Sequence, residues 1–145
     1  MIFRRSVVSV MFILVMATAV MGLSRGGATV ENGFRGSWRN VDPETRGISS
    51  LVVRQEGDDL TVQAWGKCHP TDCDWGVVPF RLIGDSTRDI TFDYAFAKWE
   101  FDFAATYLTM KMRGDQLVAE TITVFSDNSN RSHYRNILLL KRAAD

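Results

Sequence analysis

Neither sign of charge is in excess in this chain, where 17 Lys and Arg side chains meet 17 Asp and Glu. A nucleic-acid binder needs a basic face to neutralise phosphates, so that class is set aside. Like charges never gather into a run, which describes a mixed, solvated surface rather than a charged tail or a membrane patch. Helical spacing is equally scarce, since after residue 35 no stretch keeps apolar residues three and four apart for long. Prolines are few, at Pro43, Pro70 and Pro79. The two cysteines, Cys68 and Cys73, lack the Cys-x-x-Cys spacing of thiol redox motifs. No cysteine follows the apolar N-terminal run, so a bacterial lipoprotein anchor is not expected. No recognisable catalytic set is present, and an enzyme is not the expected class.

The features that are present begin with an address. Met1-Ile2-Phe3-Arg4-Arg5 is a short basic start, Ser6 to Ser24 is uncharged, and Ala17-Thr18-Ala19 is a small-x-small cleavage pattern. Together they read as a secretory signal peptide over residues 1–19, followed by a glycine-rich lead-in over 20–35. The rival is an uncleaved anchor, because the apolar run is just long enough to span a bilayer. Only in that case is membrane association expected. Cleavage leaves about 126 residues, enough for a single domain with one core, placed here over 36–142. The expected location is secreted or periplasmic.

Alternation of apolar and polar residues organises the rest. Gly57-Asp58 is a two-residue hairpin turn that pairs Val53 with Val62 and Leu51 with Ala64, placing apolar residues on one face of both strands. Gly114-Asp115 repeats the device, setting Met112 opposite Leu117 and Met110 opposite Ala119. Between them, Phe92, Tyr94 and Phe96 alternate, and the phase then flips to Trp99, Phe101 and Phe103. A turn at Ala97-Lys98, or a bulge in a longer strand, accounts for the flip and puts all six rings on one buried face. Strands are predicted over 36–41, 48–55, 59–67, 74–83, 89–97, 99–113, 116–125 and 133–142. The predicted fold is all-β, an eight-stranded antiparallel up-and-down barrel, with a two-sheet sandwich as the alternative. Ser126 to Ser132 is a polar loop containing the sequon Asn130-Arg131-Ser132.

The first strand reads Gly36-Ser37-Trp38-Arg39-Asn40. A Gly-x-Trp at the start of such a strand series resembles the calycin superfamily of lipocalins, fatty-acid-binding proteins and avidins. The resemblance implies that Trp38 closes one barrel end and stacks with a basic side chain from the last strand, either Arg135 or Arg142. The wider Gly-Ser-Trp-x-Asn pattern is similar to avidins, which places Asn40 where an asparagine helps to bind ligand. The chain has no Ser-x-Thr-x-Trp strand and no later tryptophan to wall a biotin pocket. The Trp65–Gly76 segment also resembles one from small secreted bacterial proteins.

That segment packs both cysteines, two tryptophans and His69 into twelve residues, Trp65-Gly66-Lys67-Cys68-His69-Pro70-Thr71-Asp72-Cys73-Asp74-Trp75-Gly76. In an exported protein the two cysteines are expected to pair. With Cys68 opposite Cys73, Gly66 faces Trp75 and Gly76 faces Trp65, so each ring covers a cross-strand glycine. Trp75 then points inward near one mouth and Trp65 lies outside beside Gln63. Pro70-Thr71 makes the turn, and Asp72 accepts a hydrogen bond from Thr71 or His69. A metal site from Cys68, His69, Asp72, Cys73 and His133 is not expected, because the spacing is non-standard and oxidation removes the thiolates. No cofactor is expected either.

Two functions from different classes follow. In the first, the barrel binds a small apolar or aromatic molecule at one mouth, using Trp75, His69, Asp72, Asn40, Phe92, Tyr94 and Phe96. In the second, the chain is a protein- or glycan-interaction module, such as an inhibitor or adhesin, acting through the Cys68–Cys73 loop. A side-chain-filled barrel favours the second.

Overall fold

The computed structural model describes residues 33–144; the expected signal peptide and most of the lead-in lie outside them. Nine antiparallel strands form one sheet: β1 Gly36–Asn40, β2 Ile48–Glu56, β3 Asp59–Gly66, β4 Cys73–Pro79, β5 Arg81–Ile83, β6 Tyr94–Phe101, β7 Ala104–Arg113, β8 Gln116–Phe125 and β9 Tyr134–Arg142. Their order across the sheet is β4-β3-β2-β1-β9-β8-β7-β6-β5. The sheet rolls into a nearly closed barrel in which β4 meets β6 across a seam. There the Trp99 indole N–H donates to the Gly76 carbonyl at 3.0 Å, a side-chain bond in place of a strand ladder.

The count is nine rather than the expected eight because the segment 74–83 is broken. Pro79 has no N–H to give to a ladder, and β4 ends there. The Phe80 N–H makes a last bond to the Leu60 carbonyl at 2.8 Å. The chain then leaves β3, and β5 pairs with β6, Arg81 opposite Phe96. Phe80 itself turns inward, 2% exposed, against the edge of Phe34.

Both glycine-aspartate hairpins have the expected register, with Val53 opposite Val62, Leu51 opposite Ala64, Met112 opposite Leu117 and Met110 opposite Ala119. The aromatic segment between them differs from expectation. The turn falls at Asp102-Phe103, not Ala97-Lys98, and β6 and β7 pair from Phe101 opposite Ala104 to Tyr94 opposite Lys111. In that register Ala95, Ala97 and Trp99 face the core, and Tyr94 and Phe96 lie on the outer face. Residues 90–93 are not a strand; Ile90 is exposed and Phe92 half-buried. The two phases of Tyr94-Ala95-Phe96-Ala97 are both apolar, so alternation alone does not choose between them. Period-two alternation carries the buried phase of Trp99 back to Ala97 and Ala95 along β6.

The core is continuous. Leu51, Val62, Leu108, Leu117 and Leu140 have no exposed surface, and each such side chain contributes about 1.5–3 kcal/mol of burial. One barrel end, formed by residues 33–35 and the turns after β2 and β7, is plugged. Phe34 and Phe80 meet edge to face with ring centroids 5.7 Å apart. The Trp38 indole donates to the Phe34 carbonyl at 2.8 Å. Arg142 lies 4.4 Å over the Trp38 ring while its guanidinium donates to the carbonyls of Gly33 and Arg35, both at 2.8 Å. Arg142, not Arg135, is therefore the basic partner of Trp38. Arg135 sits outside, 3.6 Å from Glu120.

Candidate functional site: the loop-bearing mouth

The opposite end carries loops 41–47, 67–72 and 126–133 and the Asp102-Phe103 turn. Its most rigid part is the lip after β3. Cys68 and Cys73 are bonded, with Cα atoms 5.5 Å apart. The strand register is offset from the one the cysteines suggest: Gly66 is opposite Cys73, and Trp65 is opposite Asp74. An extra residue in β4 causes this, a bulge between the Gln63 and Trp65 pairings where Gly76 adopts φ +81°. Asp74 holds the bulge, accepting from the Gly76 N–H and from the Gln63 amide, both at 2.8 Å. The bulge aims Trp75 inward. Its ring lies against Gly66, where an added Cβ would come within 2.5 Å of the indole nitrogen. The expected cover of Gly66 by Trp75 is thus present, though diagonally. The expected cover of Gly76 by Trp65 is absent, since nothing lies within 4 Å of a Cβ built on Gly76. Trp65 sits half-buried on the outer side.

The tip is built from local bonds. The Lys67 N–H donates to the Gly47 carbonyl at 3.0 Å, tying the lip to the 41–47 loop. His69 and Pro70 are joined by a cis peptide bond. His69 Nδ1 lies 2.9 Å from the Cys68 carbonyl, and because that oxygen only accepts, Nδ1 carries the proton and Nε2 faces outward. Asp72 is held by neither Thr71 nor His69. The Ser49 hydroxyl lies between it and the Trp65 carbonyl, which Ser49 Oγ reaches at 3.0 Å, and its one proton serves one oxygen at a time. Hydrogen bonding from Ser49, with Lys67 at 3.7 Å adding its charge, keeps the Asp72 carboxyl below its usual pKa.

Asn40 is also at this end, but its carboxamide is committed. Nδ2 donates to the Ile48 carbonyl at 2.8 Å and Oδ1 accepts from the Asp42 N–H at 2.9 Å, which shapes the first loop. A polar cleft of about 470 Å³ runs beside it, between that loop and β9, lined by Asp42, Thr45, Arg46 and Asn136 among others. Inside the mouth the wall turns polar: Thr106, Thr121 and Thr123 are buried, and the hydroxyls of Thr106 and Thr123 are 3.0 Å apart.

A series of rings leads from the core to the rim. Trp75 meets the edges of Trp99 at 5.7 Å and Phe101 at 5.9 Å. Phe101 stacks on Phe103 at 5.6 Å with planes 14° apart, and Phe103 is 46% exposed. Arg131 continues the series, its guanidinium 5.4 Å from the Phe103 ring and 4.0 Å from the Phe125 ring. Asp127 and the Ser129 hydroxyl fix that guanidinium, and hydrogen bonding from Ser129 to Asp127, followed by the Arg131 contact, lowers the Asp127 pKa. Phe125 meets Tyr134 at 5.9 Å, and its N–H donates to His133 Nδ1 at 3.1 Å. The rim thus has a planar cation held between two aromatic faces.

Of the residues expected at a site, the structure gathers Trp75, His69, Asp72 and Asn40 at this mouth. It places Phe92 near the plugged end, and Tyr94 and Phe96 outside. Phe103, Arg131, Phe125 and Tyr134 were not anticipated; an Asp-x-Ser-x-Arg run next to flanking aromatics is the only sequence signal for them. Among the described residues no three His, Cys, Asp or Glu side chains gather to hold a metal. No family model, no curated protein and no solved structure matches the chain.

Proposed function

We propose that this chain is a calycin-like exported recognition module that binds a partner protein through its loop-bearing mouth. The carrying observation is the ring series from Trp75 to Phe103, continued by Arg131, Phe125 and Tyr134, which surfaces beside the disulfide-braced lip. Aromatic side chains and arginine are the residues that dominate protein interfaces, and rigid ones bind with little loss of entropy. The lip, the Asn40-shaped loop and the Asp127–Arg131 pair hold that surface in shape before any partner arrives. Lys67 pairs with Asp72 and Arg131 with Asp127, which leaves Asp42, Glu44 and Asp102 opposed by Arg46, so a partner with a basic rim fits best. The calycin-like part of the reading rests on Gly36-x-Trp38 and on Arg142 stacked over Trp38 at the closed end. The packed interior favours this reading over a ligand inside the barrel, because Trp38, Trp99, Leu108 and Leu140 occupy the space such a ligand needs.

The test is purification from the protein's own host envelope with native mass spectrometry. A stoichiometric protein complex is expected, weakened at least tenfold by Phe103→Ala or Arg131→Ala and unaffected by Phe96→Ala on the outer wall. A complex insensitive to the two rim substitutions, or no protein complex at all, contradicts the reading.

A further inference from the structure

A second feature lies on the outer face of β6–β9, and it meets the cleft beneath the 41–47 loop at Ile137. A groove of about 490 Å³ lies there, within the range of small-molecule sites. The cross-strand register builds it row by row. Tyr94, Lys111, Val118 and Leu139 stand side by side, then Phe96, Thr109, Glu120 and Ile137. Ile137 is 60% exposed and Tyr94 40%. The next row toward the plugged end is Arg113, Gln116 and Lys141.

Charge in the groove is segregated. Glu120, its one carboxylate, is paired with Arg135 at 3.6 Å. Lys111, Arg113 and Lys141 form no ion pair among the described residues. Lys111 is positioned rather than loose: its ammonium donates to the Tyr94 hydroxyl at 3.2 Å and stands 4.8 Å over the ring. One end of the groove therefore carries Arg113 and Lys111, the latter acted on by Asp93 and Asp85 only beyond ion-pair distance, while its floor is aliphatic and aromatic. We propose that this groove binds a single-chain anionic amphiphile, with its carboxylate or equivalent head group at Lys111 and Arg113 and its chain along Val118 and Ile137. The reading is independent of the partner proposed for the mouth. Tyr94, first through its hydrogen bond, and then Asp93 and Asp85 through their charges raise the Lys111 pKa, so the head-group end stays cationic through the physiological range.

Calorimetric titration of the folded protein with decanoate, well below its micelle-forming concentration, tests this. Decanoate is expected to bind at least tenfold more tightly than decanol or decyltrimethylammonium. Lys111→Glu with Arg113→Glu should remove that preference, and Ile137→Asp should abolish binding, with circular dichroism unchanged because all three side chains are exposed. Equal binding of the three probes, no binding of decanoate, or decanoate binding that survives the charge reversal overturns the proposal. Capture by anionic phospholipid vesicles without decanoate binding also overturns it, assigning the face to a membrane surface instead.

Discussion

Gly66 and Trp75 offer a sharp test of how the lip is built. A Cβ on Gly66 would lie 2.5 to 2.8 Å from three atoms of the Trp75 indole. That ring has little freedom to retreat, being held between the edges of Trp99 and Phe101. Gly66→Ala is therefore expected to cost about 1–3 kcal/mol, the usual range for forcing a methyl into a packed site. In a domain of this size that lowers the melting temperature by roughly 5–15 °C. The backbone at Gly66 is not in the left-handed region, so alanine carries no conformational penalty there. With the obstacle removed, in Trp75→Leu, the same Gly66→Ala change should become neutral or stabilising by about 0.5 kcal/mol, because alanine restricts the unfolded chain. The double-mutant cycle, read by urea denaturation, should then show coupling of about 1–3 kcal/mol. Gly76 provides the contrast. Its φ of +81° penalises any side chain by about 1–2 kcal/mol, but with open space around it that cost should not depend on Trp75. A Gly66→Ala penalty that persists in the Trp75→Leu background would refute the packing argument.

Three other outcomes are expected. Arg142→Ala should lower stability by about 1–2 kcal/mol in chemical denaturation, since it removes two charged hydrogen bonds at the surface and uncovers Trp38; Arg142→Lys should restore only part. Cys68→Ser with Cys73→Ser should cost about 2 kcal/mol, because so short a loop gains little from closure, and should leave the far-UV spectrum intact. Because the Asp72 carboxyl is lowered by Ser49 and then by Lys67, its contribution to stability is fully present above the ordinary carboxylate range and is lost as pH falls through the lowered value. Melting temperatures at pH 7 and pH 3 should therefore differ less in Asp72→Asn than in the parent chain, and an unchanged difference would argue against those contacts.

Much of the fold was legible in the chain because turn chemistry and apolar phase agreed. At Gly57-Asp58 and Gly114-Asp115 only one register satisfies both, and it is the one observed. Trp38 and the choice of Arg135 or Arg142 as its partner came from a resemblance, not from periodicity, and only the structure selects Arg142. The failures occurred where the local code is degenerate. Tyr94-Ala95-Phe96-Ala97 is apolar in both phases, so the choice fell to the burial of Trp99, whose face of β6 the alanines share. The split at Pro79 and the bulge at Gly76 depend on which neighbour each strand edge meets, which spacing does not encode. At the mouth, His69, Asp72 and Trp75 stood out by density in sequence. Phe103, Arg131 and Tyr134 did not, because the 102–103 turn and the 125–134 segment meet only in the fold.

The central claim is that recognition occurs at the loop-bearing mouth of a filled barrel. Photo-crosslinking residues placed singly at Thr71, Phe103 and Phe96, in the protein's own host, test it most directly. Adducts to one partner protein from positions 71 and 103, with none from 96 on the outer wall, are predicted. Adducts from position 96 alone, or none from the two mouth positions, would contradict the account.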